Sequence, residues 1–244
     1  MRYTYFARRN LKEILRDPLS LILGVILPIF FIALFSTISR NAPVDVFKPV
    51  NIVPGITVFG FTFTTMFLGL LIAKDKSSSF LTRLFISPLT SKDYILGYFV
   101  AMLPIAFIIG VSCLIAGLFV GVPLTPSLLY TFLSFIPYIF FSAFIGIFLG
   151  TVCSEAQLMA IGNIYIIACA ILSGAWMDLN ILGDKIKAIA EILPFSHAVE
   201  LSRIVLSGRP DNVWIRVLIV SGYTVLFFLL SVYFFNRKMK SDNK

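Results

Sequence analysis

Tyr94–Ser154, YILGYFVAMLPIAFIIGVSCLIAGLFVGVPLTPSLLYTFLSFIPYIFFSAFIGIFLGTVCS, runs for 61 residues without one Asp, Glu, Lys or Arg. A helix needs about 20 apolar residues to cross a hydrocarbon core. The stretch is therefore too long for one crossing and fits two with a turn between them. Gly121-Val-Pro-Leu-Thr-Pro-Ser127 is that turn, because its two prolines resist helix continuation. Outward from this stretch lie four more charge-free runs: Pro18–Ser39, Pro49–Ala73, Ala156–Met177 and Val217–Asn236. Each has the length of one span. The expected spans are about 19–38, 52–73, 94–120, 128–152, 157–174 and 214–235.

Composition agrees with this reading. Of 244 residues, 13% are charged and 59% hydrophobic, where a soluble domain carries about 25% charged residues. Mean hydropathy is +0.96. Such a chain has too few charges to cover a soluble surface, and its hydrophobicity excludes disorder. Cys113, Cys153 and Cys169 all lie inside apolar stretches, which excludes a disulfide scaffold. The fold class expected is all-α: one polytopic transmembrane domain over residues 1–244.

Six spans put both termini on one side. Thirteen of the twenty bases lie in three segments that this topology places together. They are Arg2, Arg8, Arg9, Lys12 and Arg16; Lys74, Lys76, Arg83 and Lys92; and Arg237, Lys238, Lys240 and Lys244. The positive-inside rule makes that side, and both termini, cytoplasmic. The net charge of +8 is thus a topology signal rather than a nucleic-acid footprint. The first apolar run exceeds the length of a signal-peptide core, so residues 1–39 read as an anchor that is kept. Asp17-Pro18 reads as an N-cap with proline in the first turn of span one.

Three segments are not spans. Residues 1–17 form a basic amphipathic helix, with Tyr3, Phe6, Ala7, Leu11, Ile14 and Leu15 near one face, suited to the membrane interface. Between spans two and three, Phe80, Leu81, Leu84 and Phe85 fall on one face of a short helix over 75–86. Ser87-Pro88 ends it, and Thr90–Asp93 matches a capping box for span three. An apolar-aromatic face there suits docking to another protein, or resting on the bilayer. Residues 175–212 carry two short helices, Asp184–Leu193 and, capped by Ser196, His197–Ser207 closed by Gly208. They are too apolar for a free loop and too short to span, hence re-entrant or interfacial. Glu200 and Arg203 are spaced to pair on one helix face. Trp176 and Trp214 bracket the segment as an outer aromatic belt.

Several chemistries have no residues to carry them. No G-x-x-x-x-G-K-[ST] P-loop, H-E-x-x-H or G-x-S-x-G occurs. His197 is the only histidine, so no histidine-based metal cluster is expected. The spans hold no acid or base to relay ions, and Glu155 sits at a span boundary, where hydration makes a charge cheap. Energy must come from a partner, or a solute must move downhill.

The motif Lys74-Asp-Lys…Phe80-Leu-Thr-Arg83-Leu-Phe-Ile-Ser87-Pro88-Leu89, placed after span two, resembles the cytoplasmic signature of type-2 ATP-binding-cassette exporter permeases. Leu193-Pro-Phe-Ser-His-Ala-Val-Glu200-Leu-Ser-Arg203 resembles that family's segment before the last span. Layout, basic N-terminal helix and length extend the likeness over the whole chain. Asp75 stands where the family commonly has Glu, and Ser77-Ser-Ser79 replaces its glycine-threonine style of turn.

The resemblance implies a non-catalytic membrane subunit of a bacterial-type plasma membrane. A second permease copy, or a related permease, would pair with it, and two cytoplasmic ATPase subunits would dock below. This chain would bind no cofactor; ATP and Mg would sit on the ATPases. Asp75, Phe80, Leu81, Arg83, Leu84 and Phe85 would form the coupling helix. Arg8, Arg9, Lys12 and Arg16 would belong to the interface helix that transmits the same motion. Spans one, two and five would line the pathway, with Phe59, Thr62, Phe63, Thr65, Asn163 and Tyr165 as candidate lining. Small outer loops lean toward the drug-export, multidrug branch and toward hydrophobic or lipid-like cargo: a drug, an antimicrobial peptide or a lipid, contacted among membrane lipids. A lipid-linked polysaccharide or teichoic acid is the alternative cargo. A passive channel or membrane scaffold is a more distant one. Gly146-Ile-Phe-Leu-Gly150 reads as a helix-packing motif.

Overall fold

The computed structural model describes residues 2–41, 45–78, 90–208 and 212–242, and these contain helices and no strand. Side chains 2, 19, 20 and 239–242 are outside the description. Of the expected coupling helix, Asp75 is described; Phe80, Leu81, Arg83, Leu84 and Phe85 lie outside the described residues.

Helix α1 (Arg2–Leu15) buries Phe6, Ala7, Asn10 and Ile14 and exposes Tyr5, Arg8, Lys12 and Leu15. The stripe is narrower than the sequence suggests: Leu15 turns outward, and the polar Asn10 takes an inner position. Helix α2 (Pro18–Asn41) starts on the expected proline. A 3-10 turn (Asp45–Phe47) leads into α3 (Pro49–Ser77), which opens on Pro49. Helix α4 (Ser91–Phe119) begins with the expected capping box: the Asp93 amide donates to Thr90 Oγ1, and the Thr90 amide donates to Asp93 Oδ2. It ends at Phe119, and Gly121, with φ of +107°, opens the turn before Ser127.

The next span is not one continuous helix. It is α5 (Ser127–Ser134) and α6 (Ile136–Val152), broken at Phe135. Pro137 has no amide hydrogen to return to Leu133, and its ring crowds the preceding turn. Helix α7 (Glu155–Leu172) is capped by Ser154, whose partner is Gln157. A 3-10 turn (Leu179–Leu182), α8 (Asp184–Ile192) and α9 (Pro194–Ser207) form the segment before α10 (Val213–Asp242).

Among the described residues, six helical stretches are long and apolar enough to cross a membrane: Leu21–Asn41, Pro49–Ser77, Ser91–Phe119, Ser127–Val152, Glu155–Leu172 and Val213–Lys238. Helix α3 is their hub, packed by α2, α4, α6, α7 and α9. The closest approach is to α6. A Cβ on Gly146 would lie 2.8 Å from the Thr65 carbonyl oxygen, and one on Gly150 would lie 2.5 Å from that of Gly69. The Gly146/Gly150 pair is therefore a backbone-contact seam, as expected of a packing motif.

Contacts sort the ends of the bundle. At one end α1, the last turn of α3, the first turn of α4, the end of α6 and the start of α7 meet. Phe235 of α10 joins them through its ring contact with Tyr94. At the other end the 3-10 turns, α8 and α9 gather around the start of α3, with the start of α10. There the expected helix over 197–207 begins earlier. Pro194 occupies its first turn, and Ser196 is inside it, donating to the Ala190 and Leu193 carbonyls rather than capping. Gly208 closes it at φ +65°, as expected. The Glu200–Arg203 pairing does not form: Glu200 takes Arg216 at 2.8 Å, and Arg203 turns inward. Trp214 is exposed as a belt residue would be. Trp176 instead inserts among Phe31, Phe35 and Phe59, with centroid distances of 4.5, 5.5 and 5.1 Å.

Candidate functional site

Three consecutive residues at the end of α3 reach four other helices. Asp75 is 3% exposed, and a bare carboxylate there would be costly. Arg9 of α1 satisfies both its oxygens: Nη1 donates to Oδ2 at 2.6 Å and Nη2 to Oδ1 at 2.8 Å. Tyr98 of α4 donates its hydroxyl to Oδ2 at 2.8 Å. Burial alone would lower the Arg9 pKa, but the hydrogen bond and charge of Asp75 outweigh it and hold that pKa above its ordinary value.

Aromatic packing fixes the same junction. Phe6 sits edge-on to Tyr94 and Tyr98, at 5.4 and 4.9 Å. It lies over Gly97, where a Cβ would come within 2.4 Å of its ring. Thus α1 is clamped to α4 by rings and to α3 by charge.

Lys76, next in sequence, points toward α6. Its ammonium donates to the carbonyls of Gly150, Thr151 and Cys153, at 3.2, 3.1 and 2.6 Å. These are acceptors at and just beyond a helix C-terminus, where a cation also opposes the helix dipole. Ser77 donates its hydroxyl to the Glu155 carboxylate at the start of α7. Glu155 is thus part of this junction. The expected short helix over 75–86 does not start at Asp75: residues 75–77 are the last of α3. Nothing in Lys74-Asp-Lys-Ser breaks a helix, and Arg9 neutralises the buried acid.

The other described basic residues of the N-terminal segment point away. Arg8, Lys12 and Arg16 are exposed and, with Tyr5 and Glu13, border an open groove of about 440 Å³. Arg16 approaches Glu13 only to 4.0 Å. A second cavity of about 340 Å³ lies between the α1–α2 elbow and α3, lined by Ile14, Arg16, Asp17, Phe67, Leu70 and Lys74, among others.

The candidate pathway residues divide. Phe59 and Phe63 meet edge to face on one side of α3 at 5.6 Å, with Phe67 one turn further at 6.3 Å from Phe63. Thr62 faces inward and donates to its own helix at the Phe59 carbonyl. Thr65 donates across to the Ser142 carbonyl of α6. Both are buried and border none of the cavities described, so their hydroxyls serve packing. Tyr165 is also buried, against Phe195. Asn163 is exposed at the middle of α7, with no hydrogen-bond partner among the described residues.

The accessible strip of α3 is Met66, Phe67, Leu70 and Lys74. It lies between α2 and α7, because Phe67 packs on Gly24 and Met66 on Gly162. Met66 and Leu70 carried no signal in the sequence beyond being apolar. No cluster of His, Cys, Asp and Glu suited to a metal occurs among the described residues.

At the far end Arg203 is mostly buried. Its Nε donates to the Asn51 carbonyl at 2.8 Å and its Nη2 to the Gly174 carbonyl at 2.9 Å. Burial pushes the guanidinium down to about 10, against the pull of Glu200 and Asp178, which leaves it charged at neutral pH. It borders a polar cavity of about 420 Å³ shared with Asp178, Lys187, His197 and Glu200. His197 Nε2 meets the Glu191 carbonyl at 2.7 Å, a structural contact.

A family profile described as ABC-2 type transporter matches residues 2–207. The chain is similar to a protein of Bacillus subtilis (strain 168) named "Putative transport permease YvfS". They are 25% identical over 236 residues, covering 92% of this chain and 93% of that one. It is also similar to "Putative transport permease ycf38" of Cyanophora paradoxa, 26% identical over 214 residues, covering 82% of this chain and 72% of that one.

Proposed function

The chain belongs to the ABC-2 type transporter family as a membrane-spanning permease, and from that premise we propose that it exports hydrophobic or lipid-like cargo. In this reading a separate ATPase supplies the energy at the α1 end of the bundle, which faces the cytoplasm of a cell membrane. The observation that carries it is the junction at Asp75, Lys76 and Ser77. One turn of α3 is bonded to α1, α4, α6 and α7. It opens the Lys74–Leu89 motif, whose sequence resembles the family's cytoplasmic coupling signature. A push there is passed to four helices at once through short polar bonds rather than through a soft loop.

The strip Met66, Phe67 and Leu70, between two helices whose outer faces are themselves exposed, supports an apolar cargo. No charge lies along it until Lys74. Asn163 supports a second permease copy. An amide exposed at the centre of a membrane helix gains from a partner across an interface.

Mild-detergent purification of the full chain with its neighbours tests this reading. An ATPase carrying a P-loop should co-purify, and Leu84→Glu should leave ATP hydrolysis running while transport stops. Solute flux through the purified chain alone, without any ATPase, would instead establish a passive channel.

A further inference from the structure

We propose that the notch between the ends of α6 and α10 binds the headgroup of an anionic phospholipid. The notch, about 280 Å³, is lined by Lys76, Thr151, Val152, Phe234, Arg237 and Lys238. Its described lining holds three cations and no acid. Glu155 at the start of α7 bonds Ser77 and is not part of it. Lys76 commits its hydrogens to the carbonyls of α6, so it offers this notch charge rather than donors. Arg237 is exposed and has no ion-pair partner among the described residues, so its planar fork remains available to a phosphate.

Position selects a lipid over a free anion. Arg237 follows directly on the charge-free run Val217–Asn236, at the level where a span leaves the hydrocarbon. Helix α10 is the least enclosed of the six spans, with Leu226, Leu229 and Tyr233 exposed. The notch therefore opens sideways toward acyl chains, and Val152 and Phe234 give it an apolar wall. A basic pocket between helices at the membrane boundary is the setting in which anionic headgroups are held.

Native mass spectrometry of the full-length protein, titrated with phosphatidylglycerol or phosphatidylcholine, reads the site. Phosphatidylglycerol should bind at one preferred site and phosphatidylcholine should not. The Arg237→Ala/Lys238→Ala variant should weaken that binding about fivefold for each cation removed. Val152→Trp, which changes no charge, should weaken it too by filling the apolar wall. Arg8→Ala/Lys12→Ala, the same charge change on α1, should leave it unaltered. Equal loss in that control would mean general attraction to basic protein and overturn the site. Displacement of the lipid by millimolar inorganic phosphate, or equal binding of phosphatidylcholine, would overturn it as well.

Discussion

Arg9 and Asp75, sixty-six residues apart, meet in a two-pronged ion pair that ties the N-terminal helix to the end of the central one. The carboxylate side chain is 4% exposed and the guanidinium 36%. The two partners are therefore unequal: Asp75 depends on Arg9 far more than the reverse. Tyr98 adds a third bond from α4, so the pair locks three helices at one point.

Arg9→Ala should destabilise the protein more than Arg8→Ala. Removing Arg9 leaves a buried carboxylate with one neutral donor, a cost of about 1–3 kcal/mol, while Arg8 is exposed and its loss should be within about 0.5 kcal/mol. Arg9→Lys should recover only part of the loss, because an ammonium does not reproduce the two-pronged contact. Thermal unfolding in detergent reads all three. Equal melting of the Arg8 and Arg9 variants would remove the clamp from the account.

Lys76→Met should loosen α6 from α3 without disturbing α1. The substitution keeps most of the side chain and leaves the carbonyls of Gly150, Thr151 and Cys153 without their cation, at roughly 1–3 kcal/mol. Hydrogen exchange at the amides of 149–157 should speed up, while those of α1 stay protected. Uniform acceleration across the chain would mean global rather than local loosening.

Asn163→Leu should weaken association of two copies about three- to tenfold, the range of a hydrogen bond between membrane helices. Association is read by single-molecule counting in nanodiscs over a dilution series. An unchanged monomer–dimer balance would show that Asn163 faces acyl chains or cargo instead of a second copy.

The six spans and the Thr90–Asp93 capping box were legible because they depend on neighbours in sequence. A charge-free run needs no tertiary partner to declare a span, and Thr90 reaches Asp93 within one turn. The partnerships were not legible. Glu200 and Arg203 have the spacing of a local pair, yet burial gives Arg203 three backbone carbonyls at the α3 and α7 ends and leaves Glu200 to Arg216. Thr62 and Thr65 have the composition of a pore stripe, but residues of the same type serve helix packing, and only the rotation of α3 decides which. Asp75 has the sequence context of a docking surface but turns inward, because Arg9 neutralises it. The residues of the expected coupling helix from Phe80 to Phe85 lie outside the described structure and stand on sequence alone.

Arg203 should hold Trp176 in place, and the protein carries its own reporter. Trp176 and Trp214 are the only tryptophans, so Trp214→Phe leaves Trp176 alone in the emission. Arg203 donates to the carbonyls of Gly174 and Ala175, directly before Trp176, whose ring lies among Phe31, Phe35 and Phe59. In that background Arg203→Met should shift the emission to the red and raise acrylamide quenching, as the released loop lets the indole meet solvent. The pH response follows from the guanidinium. Burial holds it at about 10 in the fold, below the ordinary arginine range, so the folded chain sheds this proton before the unfolded one. Between pH 5 and 9 both states keep the proton, so Arg203 contributes no pH dependence and the Trp176 emission should be flat. Only from about 10 up to the ordinary arginine range does the unfolded state bind more protons, and there this group alone makes stability rise with pH. A Trp176 emission that moves between pH 6 and 8 would place a group other than Arg203 in control of the loop.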